Sequence, residues 1–167
     1  MNESSVDNDF IQSAVEAYLD MVFRIAYQNT ANYSDAEDVT QEVFIKLMKE
    51  RRFISEEHMK AWLIRVTINL CKDLKKSFWH RRTESLPNEW QPAEGPQASF
   101  MDELRRLPKN YRNVLYLYYF EGYTVPEIAK ILGNKENTVS SWMTRARKKL
   151  KTLIMDGGDG YGHEGIH

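Results

Sequence analysis

Apolar residues recur at intervals of three and four along two stretches of this chain, the period of amphipathic helices. The first stretch carries Phe10, Ile11, Val15, Tyr18, Leu19, Val22, Phe23 and Ala26, which predicts a helix over 10–29. Ser34-Asp35-Ala36-Glu37 has the form of a capping box with acids at the positive helix end. It opens a second helix through Val39, Val43, Phe44, Leu47 and Met48 to about residue 51. A third helix is expected to start at Ser55-Glu56-Glu57 and run to about Trp79, with Met59, Trp62, Leu63, Val66, Leu70 and Leu74 on its apolar side. Three helices with short connections make one small all-α domain, residues 10–82.

The period breaks over 83–99, where Pro87, Pro92, Gly95 and Pro96 stand among few core-forming residues. This segment reads as a flexible linker that could reach roughly 60 Å when extended. A second domain then spans 100–154. Phe100–Arg106 forms a short helix, and Pro108 sits in the first turn of an aromatic one that runs through Tyr111 and Tyr116 to Phe120. Thr124-Val125-Pro126-Glu127 is a second capping box, and Gly133 is a C-terminal stop. Asn134 is placed to cap a last helix reaching about Leu153, and the glycine-rich residues 155–167 are expected to be a disordered tail. The fold class is therefore all-α: two small helical domains joined by a linker.

Residues 124–150 have the layout of a helix-turn-helix. Ile128, Ala129, Ile131 and Leu132 lie on a short first helix, with small Ala129 where two helices cross. Val139 and Trp142 face inward from a longer second helix, whose polar early residues suit a major groove. Periodicity alone leaves an ordinary helical hairpin with a solvated basic end equally open. The charge pattern adds to the argument. A formal net charge of -1 is unusual for a nucleic-acid binder, but the charge is unevenly spread. From 134 to 151, Lys135, Arg145, Arg147, Lys148, Lys149 and Lys151 face Glu136 alone. From 60 to 82, Lys60, Arg65, Lys72, Lys75, Lys76, Arg81 and Arg82 face only Asp73. Two basic faces in a near-neutral chain predict DNA binding that is weak in isolation, because phosphate neutralisation supplies most non-specific affinity.

Other functions lose ground. No run of eighteen apolar residues spans a membrane, and the acidic start is unlike a signal peptide. Cys71 is the single cysteine, so a disulfide framework is excluded and a reducing cytoplasm suits the chain. There is no glycine-rich phosphate loop or nucleophile elbow, and His58, His80, His163 and His167 do not pair at metal-ligand spacing. No catalytic residue, metal or cofactor is expected.

The order Thr138-Val139-Ser140-Ser141, three residues on to Arg145-Ala146-Arg147-Lys148-Lys149-Leu150, resembles region 4.2 of the sigma-70 family of RNA polymerase sigma factors. Leu107-Pro108 with Tyr111-Arg112 resembles the start of region 4.1. Asp38-Val39-Thr40-Gln41-Glu42, with Leu47-Met48-Lys49 after it, resembles region 2.2. Asn69 and Asp73 match an Asn-(three residues)-Asp pattern of regions 2.3 and 2.4. With no sequence for an intermediate domain, the layout is similar to the extracytoplasmic-function group.

The resemblance implies a promoter-specificity subunit of core RNA polymerase. By it, Asp38, Gln41, Glu42 and Met48 would dock on the β′ clamp, with the β subunit also a partner. Arg65, Asn69, Lys72 and Lys76 would meet the −10 element, near Trp62, Phe78 and Trp79 as faces for unpaired bases. Ser140, Ser141, Thr144 and Arg145 would read the −35 element, with Arg147 and Lys148 beside them on DNA. A dedicated anti-sigma protein is a further implied partner. The alternative is a stand-alone helix-turn-helix regulator that binds operator DNA without polymerase.

Overall fold

A computed structural model describes residues 3–50, 52–77 and 96–156. Its helices are α1 (Glu3–Thr30), α2 (Tyr33–Lys49), α3 (Glu56–Ser77), α4 (Pro96–Arg105), α5 (Lys109–Tyr119), α6 (Val125–Leu132) and α7 (Glu136–Asp156). The described residues contain no strand. Helices α1–α3 pack into one unit and α4–α7 into another.

In the first unit the three helices all touch one another. Val22, Ile25, Ala26, Val43, Leu47, Leu63 and Ile64 are at most 2% exposed and form its centre. Three of its buried polar residues bond back to their own helices, while Gln28 Oε1 is buried without a hydrogen-bond partner. Thr40 Oγ1 donates to Ala36 O at 2.7 Å, Thr67 Oγ1 to Leu63 O at 2.6 Å, and Asn29 Nδ2 to Ile25 O at 2.8 Å. The inward face of α3 is Met59, Leu63, Ile64, Thr67, Ile68 and Cys71. This corrects the expected register, because Trp62, Val66, Leu70 and Leu74 are only half-buried. Helix α3 packs against both α1 and α2, so its buried arc is wider than one apolar stripe.

Several ends differ from expectation. Helix α1 begins at Glu3, seven residues upstream of Phe10. Helix α2 is capped not by Ser34 but by Asn32, whose side chain accepts from Asp35 N at 3.0 Å. Ala31, at φ 54, turns the chain between them. Ser55 does cap α3, accepting from His58 N at 3.1 Å. Helix α4 starts at Pro96, a position where a fixed φ suits the first turn, so the last four residues assigned to the linker are helical. The rest of that linker, residues 78–82 with the expected helix end near Trp79, and the tail past Asp156 lie outside the described residues, while Met155 and Asp156, expected in that tail, belong to α7.

The second unit rests on Leu104, Val114, Leu115, Leu117, Ile128, Val139 and Ala146, each at most 1% exposed. Its caps are explicit. Pro108 stands just before α5 at ψ 150, not inside its first turn. Thr124 and Glu127 form the expected capping box, and Gly133 at φ 71 ends α6 in the left-handed region. Asn134 belongs to that stop. Its backbone N–H donates to Ala129 O at 2.9 Å and its side-chain amide to Leu132 O at 3.2 Å, so it does not cap α7.

Candidate nucleic-acid and docking faces

Helix α7 buries Val139, Met143, Ala146 and Leu150 against its own unit, at spacings of four, three and four. Trp142 is half-buried beside this row and not part of it. Fixing that row inward turns Asn137, Ser140, Ser141, Thr144, Arg145 and Lys148 outward, and all six are exposed. Five of them, Asn137 to Arg145, line a shallow depression of about 380 Å³. Thr144 Oγ1 donates to Ser140 O at 3.1 Å, which fixes that hydroxyl close to the helix. The face therefore offers small hydroxyls and an amide in the middle and long cations at one end. Such a face can enter a groove closely, with donors and acceptors for base edges.

Arg147 stands on the flank of this face. Its Nε donates to Tyr119 Oη at 3.2 Å, and its guanidinium lies 5.1 Å from the Tyr118 ring centre and 5.9 Å from that of Tyr119. On the opposite flank, Lys149 Nζ sits 5.9 Å from the Tyr111 ring. These aromatic partners lie on α5, 28 residues or more upstream, where the period of α7 gives no hint of them.

Helix α6 leads into this face. Thr124 N and Thr124 Oγ1 both donate to Glu127 Oε1, at 3.0 and 2.8 Å, and Glu127 N donates back to Thr124 Oγ1 at 3.4 Å. The backbone bond first and the hydroxyl second hold the Glu127 carboxyl below the usual carboxylate range. On α5, burial and then the neighbouring Arg105 lower the guanidinium of Arg112 from its ordinary value, though it keeps its charge.

In the first unit, α2 buries Ala36, Val39, Thr40, Val43, Phe44 and Leu47. Asp38, Gln41 and Glu42 consequently share the outer side, all exposed. Met48 lies one edge over, 50% exposed. Ile45, at 44% exposed, sits between the acids and Met48, so the acidic end of this face runs into an apolar edge with Lys49 exposed beside it. Sequence periodicity passed over Ile45 because an apolar residue outside the buried row looks incidental. On α3, Arg65, Asn69 and Lys72 are exposed along one line at spacings of four and three. Lys76 continues that line, but its side chain lies outside the described residues, as do Phe78 and Trp79. Trp62 is half-buried and meets Phe53 edge-on at 5.4 Å.

Residues 14–82 match the family model described as Sigma-70 region 2, and residues 97–150 match Sigma-70, region 4. A curated relative, ECF RNA polymerase sigma factor SigE of Mycolicibacterium smegmatis, is 33% identical over 84% of this chain. The chain spans 60% of that relative's length. RNA polymerase sigma factor NccH of Alcaligenes xylosoxydans xylosoxydans is 30% identical, over 72% of this chain and 74% of its own. Among solved structures, the sigma factor RpoE in complex with the anti-sigma factor NepR from Bartonella quintana superposes with a TM-score of 0.69. It covers 88% of this chain and 97% of that one at 22% identity, a likeness of fold.

Proposed function

The chain belongs to the sigma-70 family, in its extracytoplasmic-function branch, and on that premise we propose that it is the promoter-specificity subunit of RNA polymerase, without catalytic activity of its own. The outward face of α7 carries this reading: Asn137, Ser140, Ser141, Thr144, Arg145 and Lys148 on one side of a helix whose opposite row is locked in the core. Arg145 can donate two hydrogen bonds to a guanine edge in the −35 element, and Lys148 can neutralise a phosphate.

The exposed Asp38, Gln41 and Glu42 of α2, with Ile45 and Met48 beside them, support docking on a basic helical surface of core polymerase. The line Arg65, Asn69, Lys72 and Lys76 on α3 supports contact with the −10 element once its strands part. Two modules that each bind weakly gain avidity of roughly 10²–10⁴ when one scaffold holds both on the same DNA. Core polymerase is that scaffold here, which explains why a near-neutral chain can still select promoters. The chain acts in the cytoplasm, and no described helix is long and apolar enough to cross a membrane. An anti-sigma protein that covers these faces is the partner expected to hold it inactive; the Bartonella quintana sigma factor of like fold was crystallised in complex with an anti-sigma factor.

The test is transcription in vitro by bacterial core polymerase on a promoter library, with and without the chain. We expect specific transcripts only with the chain present, and Arg145→Ala to relax preference at one −35 base pair by about 1–3 kcal/mol. Tight sequence-specific binding by the free chain, with no transcripts from the polymerase mixture, would overturn the proposal.

A further inference from the structure

We propose that Tyr119 is a positioning residue for DNA binding: with Tyr118 it holds Arg147 as a phosphate clamp on one edge of α7. This rests on the reading of α7 as the groove-entering helix. Arg147 lies three residues after Thr144 and seven after Ser140, so it borders the Ser140–Thr144 side of the polar face. Its Nε–H is spent on Tyr119 Oη at 3.2 Å, and its guanidinium rests on the rings of Tyr118 and Tyr119. Among the described residues it has no carboxylate partner. An arginine held this way keeps the N–H donors of both terminal nitrogens, the pair that matches two phosphate oxygens.

The tyrosines act as a shelf rather than a sink. A carboxylate partner would neutralise the charge and compete with phosphate. A phenol oxygen and two ring faces orient the fork and leave its charge intact. Tyr118 and Tyr119 are 37% and 51% exposed, so they sit at the surface and their hydroxyls do little for the core. The other edge of α7 has a counterpart in Lys149 over Tyr111. A major groove is bordered by two phosphate backbones, and α5 thus supplies a tyrosine brace for a cation on each flank of the helix that would enter it. The central Ser141, Thr144 and Arg145 are left to meet the bases.

The experiment titrates a fluorescent duplex of random sequence with the full chain across a potassium chloride series. Wild type is compared with Tyr119→Phe, Arg147→Ala and the double variant. Arg147→Ala should lower the slope of log affinity against log salt by about 0.9, one phosphate contact. Tyr119→Phe keeps the ring and removes only the acceptor, and should weaken binding about two- to tenfold by freeing the guanidinium. In the Arg147→Ala background it should do nothing further. A structural staple between α5 and α7 would instead lower the melting temperature and leave affinity unchanged, which overturns the proposal. So does an equal loss in both backgrounds. The promoter-reading role fails differently: Arg145→Ala would then leave base preference in the polymerase complex untouched, whatever Tyr119 does.

Discussion

The two units solve the same problem, burying helices around a small core, with different means. The first uses helices of 28, 17 and 22 residues, and the second uses helices of 10, 11, 8 and 21. A helix of eight residues has too few internal hydrogen bonds to stand by itself. Helix α6 accordingly carries a capping box at one end and a left-handed glycine at the other. The long helices gain most from mutual packing, with buried threonines bonded to their own backbone. Local signals therefore dominate the second unit, and tertiary contact dominates the first.

Matched core truncations give the largest expected effect. Leu63 on α3 and Ile128 on α6 are both fully buried. Replacing either with alanine should cost about 2–5 kcal/mol. If the units are separate cooperative bodies, Ile128→Ala should strip amide-exchange protection from α5–α7 and leave α1–α3 intact, while Leu63→Ala does the reverse. Loss of protection in both units from either change would break the contrast.

Cap deletions sharpen it at a smaller scale. Thr124→Ala removes the hydroxyl that accepts from Glu127 N and donates to its carboxylate, leaving only the backbone bond from residue 124 to Glu127, and should cost about 1–2 kcal/mol. Asn32→Ala removes one cap from a 17-residue helix held by two neighbours, and should cost about 0.5–1 kcal/mol. Urea midpoints followed in each unit would rank the two, and an equal or larger loss at Asn32 would count against the dominance of local signals in the second unit.

The same contrast explains what the sequence made legible. Thr124, Pro126, Glu127 and Gly133 each have a local chemical role, and all four stand where their types predict. Asp38, Gln41 and Glu42 on α2, and the polar row of α7, follow from a simple period against one buried stripe. Helix α3 departs from its apolar period because it packs on two sides and because a threonine bonded to its own helix, Thr67, can be fully buried. Ser34 and Asn32 are both good caps by type, and only the turn at Ala31 decides between them. Arg147 was visible as a cation, but its partner Tyr119 lies 28 positions away and no local rule connects them.

Acid should act on the second unit through its cap. The folded-state pKa of Glu127 lies below its unfolded value, so its contribution is complete above the ordinary carboxylate range and fades as pH falls through the folded value. Helicity of the second unit should weaken over that acid window. In Glu127→Gln the amide retains an acceptor for Thr124 N but cannot titrate, so this part of the pH dependence should vanish. An unchanged acid profile in the variant would show that other carboxylates dominate.

The smallest effect comes from a local irregularity in the first unit. Ala31 adopts φ 54, in the left-handed region, between α1 and α2, and its N–H donates to Tyr27 O at 2.8 Å to close the end of α1. A Cβ in that conformation costs about 1–2 kcal/mol. Glycine removes the clash but makes the unfolded chain freer, by about 0.4–1 kcal/mol. Ala31→Gly should therefore stabilise the first unit by roughly 0.5 kcal/mol, a rise in unfolding temperature of a few degrees. Placing alanine at Gly133, φ 71, should move the second unit the other way, since the same strain enters there with no gain to set against it beyond chain entropy. Thermal unfolding of the two variants side by side would test both signs. A destabilised Ala31→Gly would mean that the α1–α2 turn depends on its methyl group, and that the left-handed residue is held by packing rather than merely tolerated.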